Sequence, residues 1–264
     1  MLKINRKYRH RIYLKVKNFF NKNLLDDEKF NKDFRDDEKI YNSLYIGDTF
    51  KIDANLLYPC LNDKNVPAGA LGSYFWQDLW AAKHIFNDNP KKHYDIGSRI
   101  DGFIGHLSSF RESIILIDIR PLNKKIPGVE FTQADATNLE SIPDDSIESL
   151  SSLCALEHFG LGRYGDSVDP YACFKAFSAI QRKIKKGGKI YISVPIGKEH
   201  LEFNAHRVFY AETIIKSFNK MKLLELSYIN PSVDQIEYNI DIHKYDNDSK
   251  FGGSNFGLFV FEKI

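Results

Sequence analysis

The sequence of 264 residues contains only three cysteines, Cys60, Cys154 and Cys173, and they form no Cys-x-x-Cys pair. Such sparse, widely spaced cysteines favour a reducing compartment. No apolar run approaches the length of a membrane span, and the basic N-terminus lacks the continuous apolar core of a signal peptide. We therefore predict a cytoplasmic protein without a transmembrane segment.

An excess of charge of either sign is also absent, since 37 Lys and Arg residues face 35 Asp and Glu residues. A net charge of +2 gives no electrostatic reason to expect a nucleic-acid partner. Hydrophobic residues make up 43% of the chain and charged residues 27%, which is typical of a soluble globular protein. The length suffices for one α/β domain with an extension, and we predict a helical extension over residues 1–54 and a domain over 55–264.

Residues 6–25 have the pattern of a basic amphipathic helix, with Ile12, Val16, Phe19 and Phe20 on one face. Such a helix can contact a membrane surface or a partner peripherally, or it can pack on the domain. The mixed charges that follow it favour packing on the domain.

From residue 93 onward, short apolar runs alternate with helical patterns, after an earlier helix predicted over Ser73–Phe86. The predicted strands are Ile114–Ile119, Val129–Gln133, Ile147–Leu153, Lys189–Val194, Leu223–Asn230 and Asn255–Glu262. Further helices are predicted over Asp169–Ile184, stopped by Lys185-Lys186-Gly187-Gly188, and over Ala211–Asn219. This alternation predicts a mostly parallel sheet with helices on both faces and one antiparallel strand in the terminal pair.

The stretch Tyr94–Phe103 has the pattern of a strand end, a glycine loop and a helix start. Gly97 lets the backbone pass close to a ligand, and Gly102 would let the helix pack tightly on the sheet. Asp95 stands at the strand tip, where its carboxylate can accept hydrogen bonds from a ligand.

Acidic residues stand at three neighbouring strand tips, and ligands of open α/β sheets bind beyond these tips. Asp118 lies about 20 residues beyond Gly97, the spacing at which an acid reaches ribose hydroxyls. At the next tip, Asp135 can accept from an exocyclic amine while a backbone N–H near Ala136 meets a ring nitrogen. Three acids suit a cationic adenosine-containing ligand, and S-adenosylmethionine fits best. A nicotinamide or nucleotide-sugar enzyme is the alternative, against which the incomplete glycine fingerprint argues.

Several stretches resemble the class I methyltransferase series: DIGS, IDIRP, QADATNL, and PDDSIESLSSLCALEHF followed by KKGGKIYISVP. Within that superfamily, DIGSRIDGF, ALEHFGLGRYGD and VPIGKEHLEFNAHRVF resemble a domain-of-unknown-function family with members in bacterial surface-polysaccharide loci and in nematodes. The resemblance covers about residues 58–209.

The resemblance implies a Rossmann-like, seven-stranded methyltransferase fold with S-adenosylmethionine as methyl donor. By position, Asp95 and Gly97 with Ser98 would line the methionine part of the donor. Asp118 with Ile119 would bind the ribose, and Asp135 with Ala136 the adenine. The sequence departs from the family pattern at Arg99, which stands where the second glycine of the loop is expected.

Candidate bases follow the fourth and fifth predicted strands: Glu157, His158, Asp166, His200 and His206. We favour His158, because histidine titrates near neutral pH. It can equally hydrogen-bond a backbone carbonyl and order its loop. His206-Arg207 falls where many methyltransferases place a histidine or arginine that faces the acceptor.

Glu157, His158 and His206 also resemble part of the divalent-metal set of RNA 3′-end methyltransferases. Cys154 stands where that family has a further glutamate, so we predict no metal site.

The glycine-rich stretch Gly160–Asp166 is predicted to be an acceptor-side loop. Arg163 there can meet a phosphate or carboxylate, with Tyr164, Asp166 and Arg207 as further acceptor contacts. We expect an S-adenosylmethionine-dependent O-methyltransferase acting on a sugar or nucleotide-activated sugar in bacterial surface-polysaccharide (capsule or O-antigen) biosynthesis. The other possibility is a methyltransferase-like scaffold that has lost donor binding, for which Arg99 is the best argument.

Overall fold

A computed structural model describes residues 28–60, 68–69, 71–230, 235–248 and 255–264. These residues form two compact units that divide between residues 70 and 71. The amphipathic helix predicted over residues 6–25 lies outside the described residues, and the domain boundary after residue 54 stays a prediction. No helix among the described residues is long and apolar enough to cross a membrane.

The first unit contains helix α1, Glu28–Leu44, and the loop that follows it. Tyr41 and Tyr45 stack with their ring centroids 5.6 Å apart. Both hydroxyls bond the backbone of Phe50. The Tyr41 hydroxyl donates to the Phe50 carbonyl at 2.8 Å, and the Phe50 N–H donates to the Tyr45 hydroxyl at 3.0 Å. These tyrosines hold the loop against the end of α1.

The second unit is built on one sheet with helices on both faces. Its strands are β1 His93–Ile96, β2 Ile114–Asp118, β3 Val129–Gln133, β4 Ile147–Leu153, β5 Ile184–Pro195, β8 Met221–Asn230, β9 Gln235–Glu237 and β10 Phe256–Lys263; a separate hairpin pairs β6 His200–Glu202 with β7 His206–Val208. The helices are α2 Ser73–Asp88, α3 Gly105–Ser108, α4 Ala172–Lys183 and α5 Ala211–Ser217, with a π-helical turn at Ile100–Ile104 and a 3₁₀ turn at Leu156–His158.

The sheet has the strand order β3-β2-β1-β4-β5-β10-β8-β9. Strands β1 to β5 are parallel, and β10 inserts antiparallel between β5 and β8. The predicted α/β architecture with an antiparallel strand near the edge is therefore confirmed. The predicted number of seven strands is wrong, because β9 adds an eighth. Its three residues are too few to show a strand period in the sequence.

Two apolar clusters cover the two faces of the sheet. On one face α4 presents Cys173, Ala176, Phe177 and Ile180, spaced i, i+3, i+4 and i+7 as a helical stripe requires. On the other face, residues of α2, the π-helical turn and α3 pack together, including Trp80, Ile85, Phe103 and Leu107. Because both faces are covered, β2 and β4 are almost entirely buried, which explains the apolar sequence of β2. In β4 the buried positions include three serines, Ser149, Ser151 and Ser152.

Two local expectations differ from the structure. The Lys185–Gly188 stretch does not end a helix: α4 already ends at Lys183, and Ile184 pairs with Ile147 at the start of β5. Gly102 packs on a helix rather than on the sheet, because a Cβ there would come within 2.3 Å of Oδ2 of Asp78 on α2.

Candidate functional site

The carboxyl ends of β1, β2, β3 and β4 surround a crevice made of two adjoining cavities. The inner cavity, of about 150 Å³, lies over β1, β2 and β3. The outer cavity, of about 870 Å³, opens beside it toward the β6–β7 hairpin. Residues shared by the walls of both cavities are Gly97, Asp118, Arg120, Cys154, His158 and Tyr164. The topology of the sheet thus brings Gly97, Asp118, His158 and Tyr164 to one crevice, whereas Asp95 and Arg207 line neither cavity.

The loop after β1 approaches the crevice through its backbone at Gly97. This glycine has φ +69°, and a Cβ built on it would lie 3.0 Å from Cβ of Ala155 in the opposite wall. A side chain would therefore meet both backbone strain and a close contact. Glycine thus keeps the floor of the crevice open, and the predicted ligand contact at Gly97 stays a prediction.

Asp95 lies behind the crevice and lines neither cavity. It is fully buried, and its carboxylate accepts from the Ser98 N–H at 3.0 Å, the Ser98 hydroxyl at 2.6 Å and the Ser151 hydroxyl at 2.6 Å. Burial raises the pKa of Asp95 to about 6, although these donors act to lower it. The predicted contact of Asp95 with a ligand is thus not supported by its position. Ser98, which donates two of these hydrogen bonds to Asp95, also lines the outer cavity.

Asp118 stands at the tip of β2 and lines both cavities. Arg120 binds its carboxylate in a fork, with Nε 3.0 Å from Oδ1 and Nη2 2.6 Å from Oδ2. The same guanidinium lies 4.5 Å from the ring centroid of Tyr164. Arg120 and Tyr164 each line both the inner and the outer cavity, and we call this pair the partition.

The far wall of the inner cavity comes from the tips of β2 and β3. Ile119 contributes apolar surface, and Asp135, Ala136 and Thr137 form the rim. Asp135 is exposed, and its Oδ1 accepts from the Thr137 N–H at 2.8 Å, which fixes the carboxylate at the rim. The predicted neighbours Ile119, Asp135 and Ala136 are therefore brought together at the cavity.

Arg99 does not block the inner cavity. Its guanidinium pairs with Asp101, Nε to Oδ1 at 3.2 Å and Nη2 to Oδ2 at 3.0 Å, and it lies 4.9 Å from the ring centroid of Tyr74. Arg99 and Tyr74 line the outer cavity instead. The bulky residue at the expected glycine position is thus accommodated beside the crevice.

Glu157 and His158 form a buried pair in the 3₁₀ turn after β4. Nε2 of His158 lies 3.6 Å from Oε1 of Glu157, and Oε2 of Glu157 is buried without a hydrogen-bond partner. Burial raises the pKa of Glu157 to about 8 and lowers the pKa of His158 to about 4. Burial therefore favours the neutral form of both members of the pair.

The tautomer of His158 follows from its second nitrogen. Nδ1 lies 2.6 Å from the carbonyl oxygen of Ala205, so it carries the proton and donates it. Nε2 is then an unprotonated acceptor at neutral pH. His158 consequently orders the loop before β7 with Nδ1, and it lines both cavities. Its role as a base stays a prediction.

The β6–β7 hairpin brings two more histidines and a glutamate to the same side. Nε2 of His206 is 3.4 Å from Oε2 of Glu202 without forming a hydrogen bond, and Nε2 of His200 is 3.4 Å from Oε1 of Glu202. Burial lowers the pKa of His206 although the charge of Glu202 acts to raise it. The rings of His158 and His206 lie 6.3 Å apart. Among the described residues, no three His, Cys, Asp or Glu side chains are grouped closely enough to hold a metal ion.

The glycine-rich loop is held by its own aspartate. Asp166 accepts from the N–H groups of Gly160 at 2.7 Å and Tyr164 at 3.1 Å. Burial acts to raise the pKa of Asp166, but these backbone donors bring it below its ordinary value. Arg163 donates to the Ala205 carbonyl at 3.2 Å and lines the outer cavity. Arg163 and Tyr164 thus line the crevice, and Asp166 lines the inner cavity while its bonds go to the loop itself. The acceptor contacts of all three stay predictions.

Arg207 does not line either cavity, contrary to the prediction of an acceptor contact. Its guanidinium donates to the carbonyls of Phe159 at 2.6 Å, Glu157 at 3.3 Å and Pro170 at 3.2 Å. All three bonds go from the guanidinium to backbone carbonyls, so Arg207 clamps the turn that carries Glu157 and His158.

Arg120 and Cys154 were not among the site residues predicted from the sequence. Arg120 follows the acid at the tip of β2 as one exposed cation among many. Cys154 has φ +48° and donates from Sγ to Oε1 of Gln77 at 3.0 Å. A bulky residue with positive φ is uncommon and marks a constrained turn, but this property is invisible in the sequence.

Comparison with known sequences gives one family match. Residues 126–256 match the family described as "Caenorhabditis protein of unknown function, DUF268". No curated protein sequence matches the chain.

Comparison with solved structures gives similarities at low identity. The [4+2]-cyclase SpnF has 14% identity and a TM-score of 0.50 over 70% of this chain and 80% of that chain. The 1,6-didemethyltoxoflavin-N1-methyltransferase of Burkholderia thailandensis has 12% identity and a TM-score of 0.49 over 71% and 78%. The N-methyltransferase NodS of Bradyrhizobium japonicum has 11% identity and a TM-score of 0.49 over 73% and 88%. The observed strand order and the similarity to SpnF show a Rossmann-like α/β fold.

Proposed function

We propose that the chain is an S-adenosylmethionine-dependent methyltransferase whose inner cavity takes the adenosine of the donor. One observation carries this proposal: Gly97, Asp118 and the Asp135-Ala136 rim, at three neighbouring strand tips, line the same cavity. A positive-φ glycine gives the backbone access, and carboxylates at the β2 and β3 tips suit ribose hydroxyls and an adenine amine.

The residues fit the donor if the partition between the cavities opens. The inner cavity of about 150 Å³ is below the range of roughly 300–1,000 Å³ typical of small-molecule sites. Joined to the outer cavity, the space is ample. Arg120 and Tyr164 line both cavities, and their displacement would let one ligand span both, with its reactive end near His158.

For the chemistry, the bound donor would supply an electrophilic methyl group on a cationic sulfur. The task of the chain is to orient an acceptor and to take its proton. Nε2 of His158, unprotonated at pH 7 and held by the bond from Nδ1 to Ala205, would accept the proton of an acceptor hydroxyl. Glu157 and His206, with buried unpartnered atoms beside it, would complete the polar wall that positions this hydroxyl.

We further propose that the acceptor is a sugar or a nucleotide-activated sugar. The outer cavity combines aromatic walls, from Tyr74, Tyr164 and Phe256, with polar groups such as Arg163 and Glu202. A sugar presents both apolar ring faces and hydroxyls, which this combination suits. The proposed role in surface-polysaccharide assembly rests on the sequence resemblance over residues 58–209. The proposed cytoplasmic location rests on composition.

The direct test is calorimetric titration of the full chain with S-adenosylmethionine and, separately, with NAD. We expect binding of S-adenosylmethionine and a loss of about tenfold or more in Asp118→Asn, because buried hydroxyls lose a charged acceptor. Binding of NAD alone would instead support a nicotinamide enzyme. His158→Ala should then lower turnover by roughly 100-fold with donor affinity retained.

A non-catalytic scaffold is the second candidate, and one observation favours it. The carboxylate of Asp118 is already bound by Arg120, as it would be in a chain that no longer binds ribose. If neither S-adenosylmethionine nor NAD binds, the scaffold is the better explanation.

A further inference from the structure

A chain of buried polar side chains runs between β1 and β4 on the sheet face beneath α2. His93 is fully buried, with Nδ1 2.7 Å from the Ser149 hydroxyl and Nε2 2.8 Å from the Ser151 hydroxyl. Ser151 pairs in register with Asp95 and donates to its Oδ2 at 2.6 Å. The proposed chemistry uses neither His93 nor the two serines, yet burying polar groups in a sheet is costly unless they are well bonded.

The direction of these hydrogen bonds can be derived. Ser151 gives its only hydroxyl proton to Asp95, so its oxygen accepts from Nε2–H of His93. Nδ1 of the neutral ring then accepts from the Ser149 hydroxyl. Burial, aided by the charge of Arg111, lowers the pKa of His93 to about 3, which keeps the ring neutral. Each hydrogen bond of this series therefore runs toward Asp95: Ser149 donates to His93, His93 donates to Ser151, and Ser151 donates to the Asp95 carboxylate.

This series of hydrogen-bonded side chains ends at the loop that carries Gly97. Asp95 also accepts from the N–H and the hydroxyl of Ser98, and Oγ of Ser98 accepts from the Leu153 N–H at 3.0 Å. The tips of β1 and β4, the two sides of the crevice floor, are thereby connected through side chains. Gly97 lies between these anchor points and lines both cavities.

We propose that His93 and Ser151 are positioning residues for the donor: with Ser149 they hold the Asp95 carboxylate against Ser98 and so fix the Gly97 backbone in the crevice floor. This inference extends the proposed function, because the donor of that proposal is the ligand whose affinity the loop would control.

The geometry also predicts an acid limit for donor binding. Protonated Asp95 would direct its own hydroxyl at one of three donors, which would then lose its acceptor. Burial and the facing charge of Asp118 on β2 raise the pKa of Asp95, whereas the bonds from Ser151 and Ser98 lower it. Asp78 on α2 accepts a hydrogen bond from Gln77 and lies against Gly102 rather than against these hydrogen-bonded side chains. Donor affinity should therefore decline as the pH falls through about 6.

The test compares Ser151→Ala with Ser152→Ala in the full chain. Ser152 is an equally buried neighbour, but it donates to the Ile96 carbonyl at 2.8 Å and lies outside the chain of donors. We expect Ser151→Ala to weaken S-adenosylhomocysteine binding at pH 7 about tenfold and to move the acid midpoint up by about one pH unit. Ser152→Ala should leave both unchanged. Equal effects of the two variants would overturn the inference.

A second readout separates this inference from the proposed function. Amide hydrogen exchange should be about tenfold faster at Ser98 and Leu153 in Ser151→Ala than in Ser152→Ala, whether or not any ligand binds. Wild-type protein that binds no S-adenosylhomocysteine but shows this difference would refute the donor site and retain the loop anchor. Unchanged exchange would refute the anchor. His93→Gln, which keeps an N–H donor, should retain more of the wild-type midpoint than His93→Phe; equal midpoints would count against His93.

Discussion

Arg120 binds both carboxylate oxygens of Asp118 while its guanidinium lies over the ring of Tyr164. The ion pair is half exposed on the arginine side and largely covered on the aspartate side. A surface pair of this kind is worth on the order of 1 kcal/mol or less, so a ligand can displace it. Arg120 therefore covers the Asp118 carboxylate that we propose for the ribose, and a ligand can displace it.

Removing the cation should strengthen donor binding. In Arg120→Ala, Asp118 has no competitor and the positive charge near the proposed sulfonium site disappears. We expect S-adenosylmethionine affinity to rise about fivefold, and that of the uncharged product S-adenosylhomocysteine to rise less. Calorimetry at low and high salt measures both. Arg182→Ala is the control, because Arg182 pairs with Asp144 and lines neither cavity; weaker binding in Arg120→Ala would contradict this account.

Gly97→Ala should abolish donor binding through a local contact. The substitution combines a positive φ with a Cβ 3.0 Å from Ala155, whereas Gly187 has φ +73° and open space around its Cα. Both variants should lose about 1 kcal/mol of unfolding free energy from the backbone strain. Only Gly97→Ala should lose S-adenosylhomocysteine binding. If Gly187→Ala loses binding as well, the effect is one of stability.

Glu157→Gln should stabilise the protein at alkaline pH. Burial raises the pKa of Glu157 from an ordinary 4.5 to about 8, so between these values the folded state binds more protons than the unfolded state. Wild-type stability must then fall as the pH rises through this window. The advantage of Glu157→Gln should grow by on the order of 3 kcal/mol from pH 5 to pH 9 in denaturant unfolding.

Glu148→Gln provides a control of opposite sign for that experiment. Burial acts to raise the pKa of Glu148, but bonds from Lys185 and the backbone N–H groups of Lys92 and Lys91 bring it below 4.5. Its contribution is present above pH 4.5 and lost as the pH falls through the lower folded value. Glu148→Gln should therefore destabilise the protein at neutral pH. A pH-independent advantage of Glu157→Gln would show that Glu157 is ionised in the folded state.

Arg207→Ala should damage the fold more than donor binding. Three carbonyls, of Phe159, Glu157 and Pro170, lose their charged donor, which should cost about 1–3 kcal/mol of unfolding free energy. Arg163→Ala removes a cavity arginine with one backbone bond and should change stability little. We expect Arg163→Ala to raise the KM for an anionic acceptor instead. Equal stability of the two variants would refute the clamp assigned to Arg207.

The sequence predicted the parts of the fold that depend on burial. Strand β2, Ile114–Asp118, ends one residue before its predicted end, and it could be predicted because a run of apolar and β-branched residues marks a strand covered on both faces. The hairpin β6–β7 and strand β9 were not predicted, since three-residue strands have no readable period.

At the site, spacing predicted which residues gather but not where each side chain points. Asp118, Asp135 and Gly97 line the inner cavity as expected. Asp95 turns away because Ser151, its register partner on β4, offers a hydroxyl from a distant part of the sequence. Arg207 likewise turns to carbonyls of a preceding turn. Such choices depend on tertiary neighbours, which a single sequence does not reveal.

Strand β9 also limits how copies of this chain can associate. It covers the end of the ten-residue strand β8 with only three residues, and Glu237 at its end accepts from Asn230 at 2.9 Å and from Tyr245 at 2.7 Å. A neighbouring molecule that tried to continue the sheet from β9 would find a template of three residues, too short for durable backbone pairing. This small addition therefore protects the molecule against edge-to-edge polymerisation at that border.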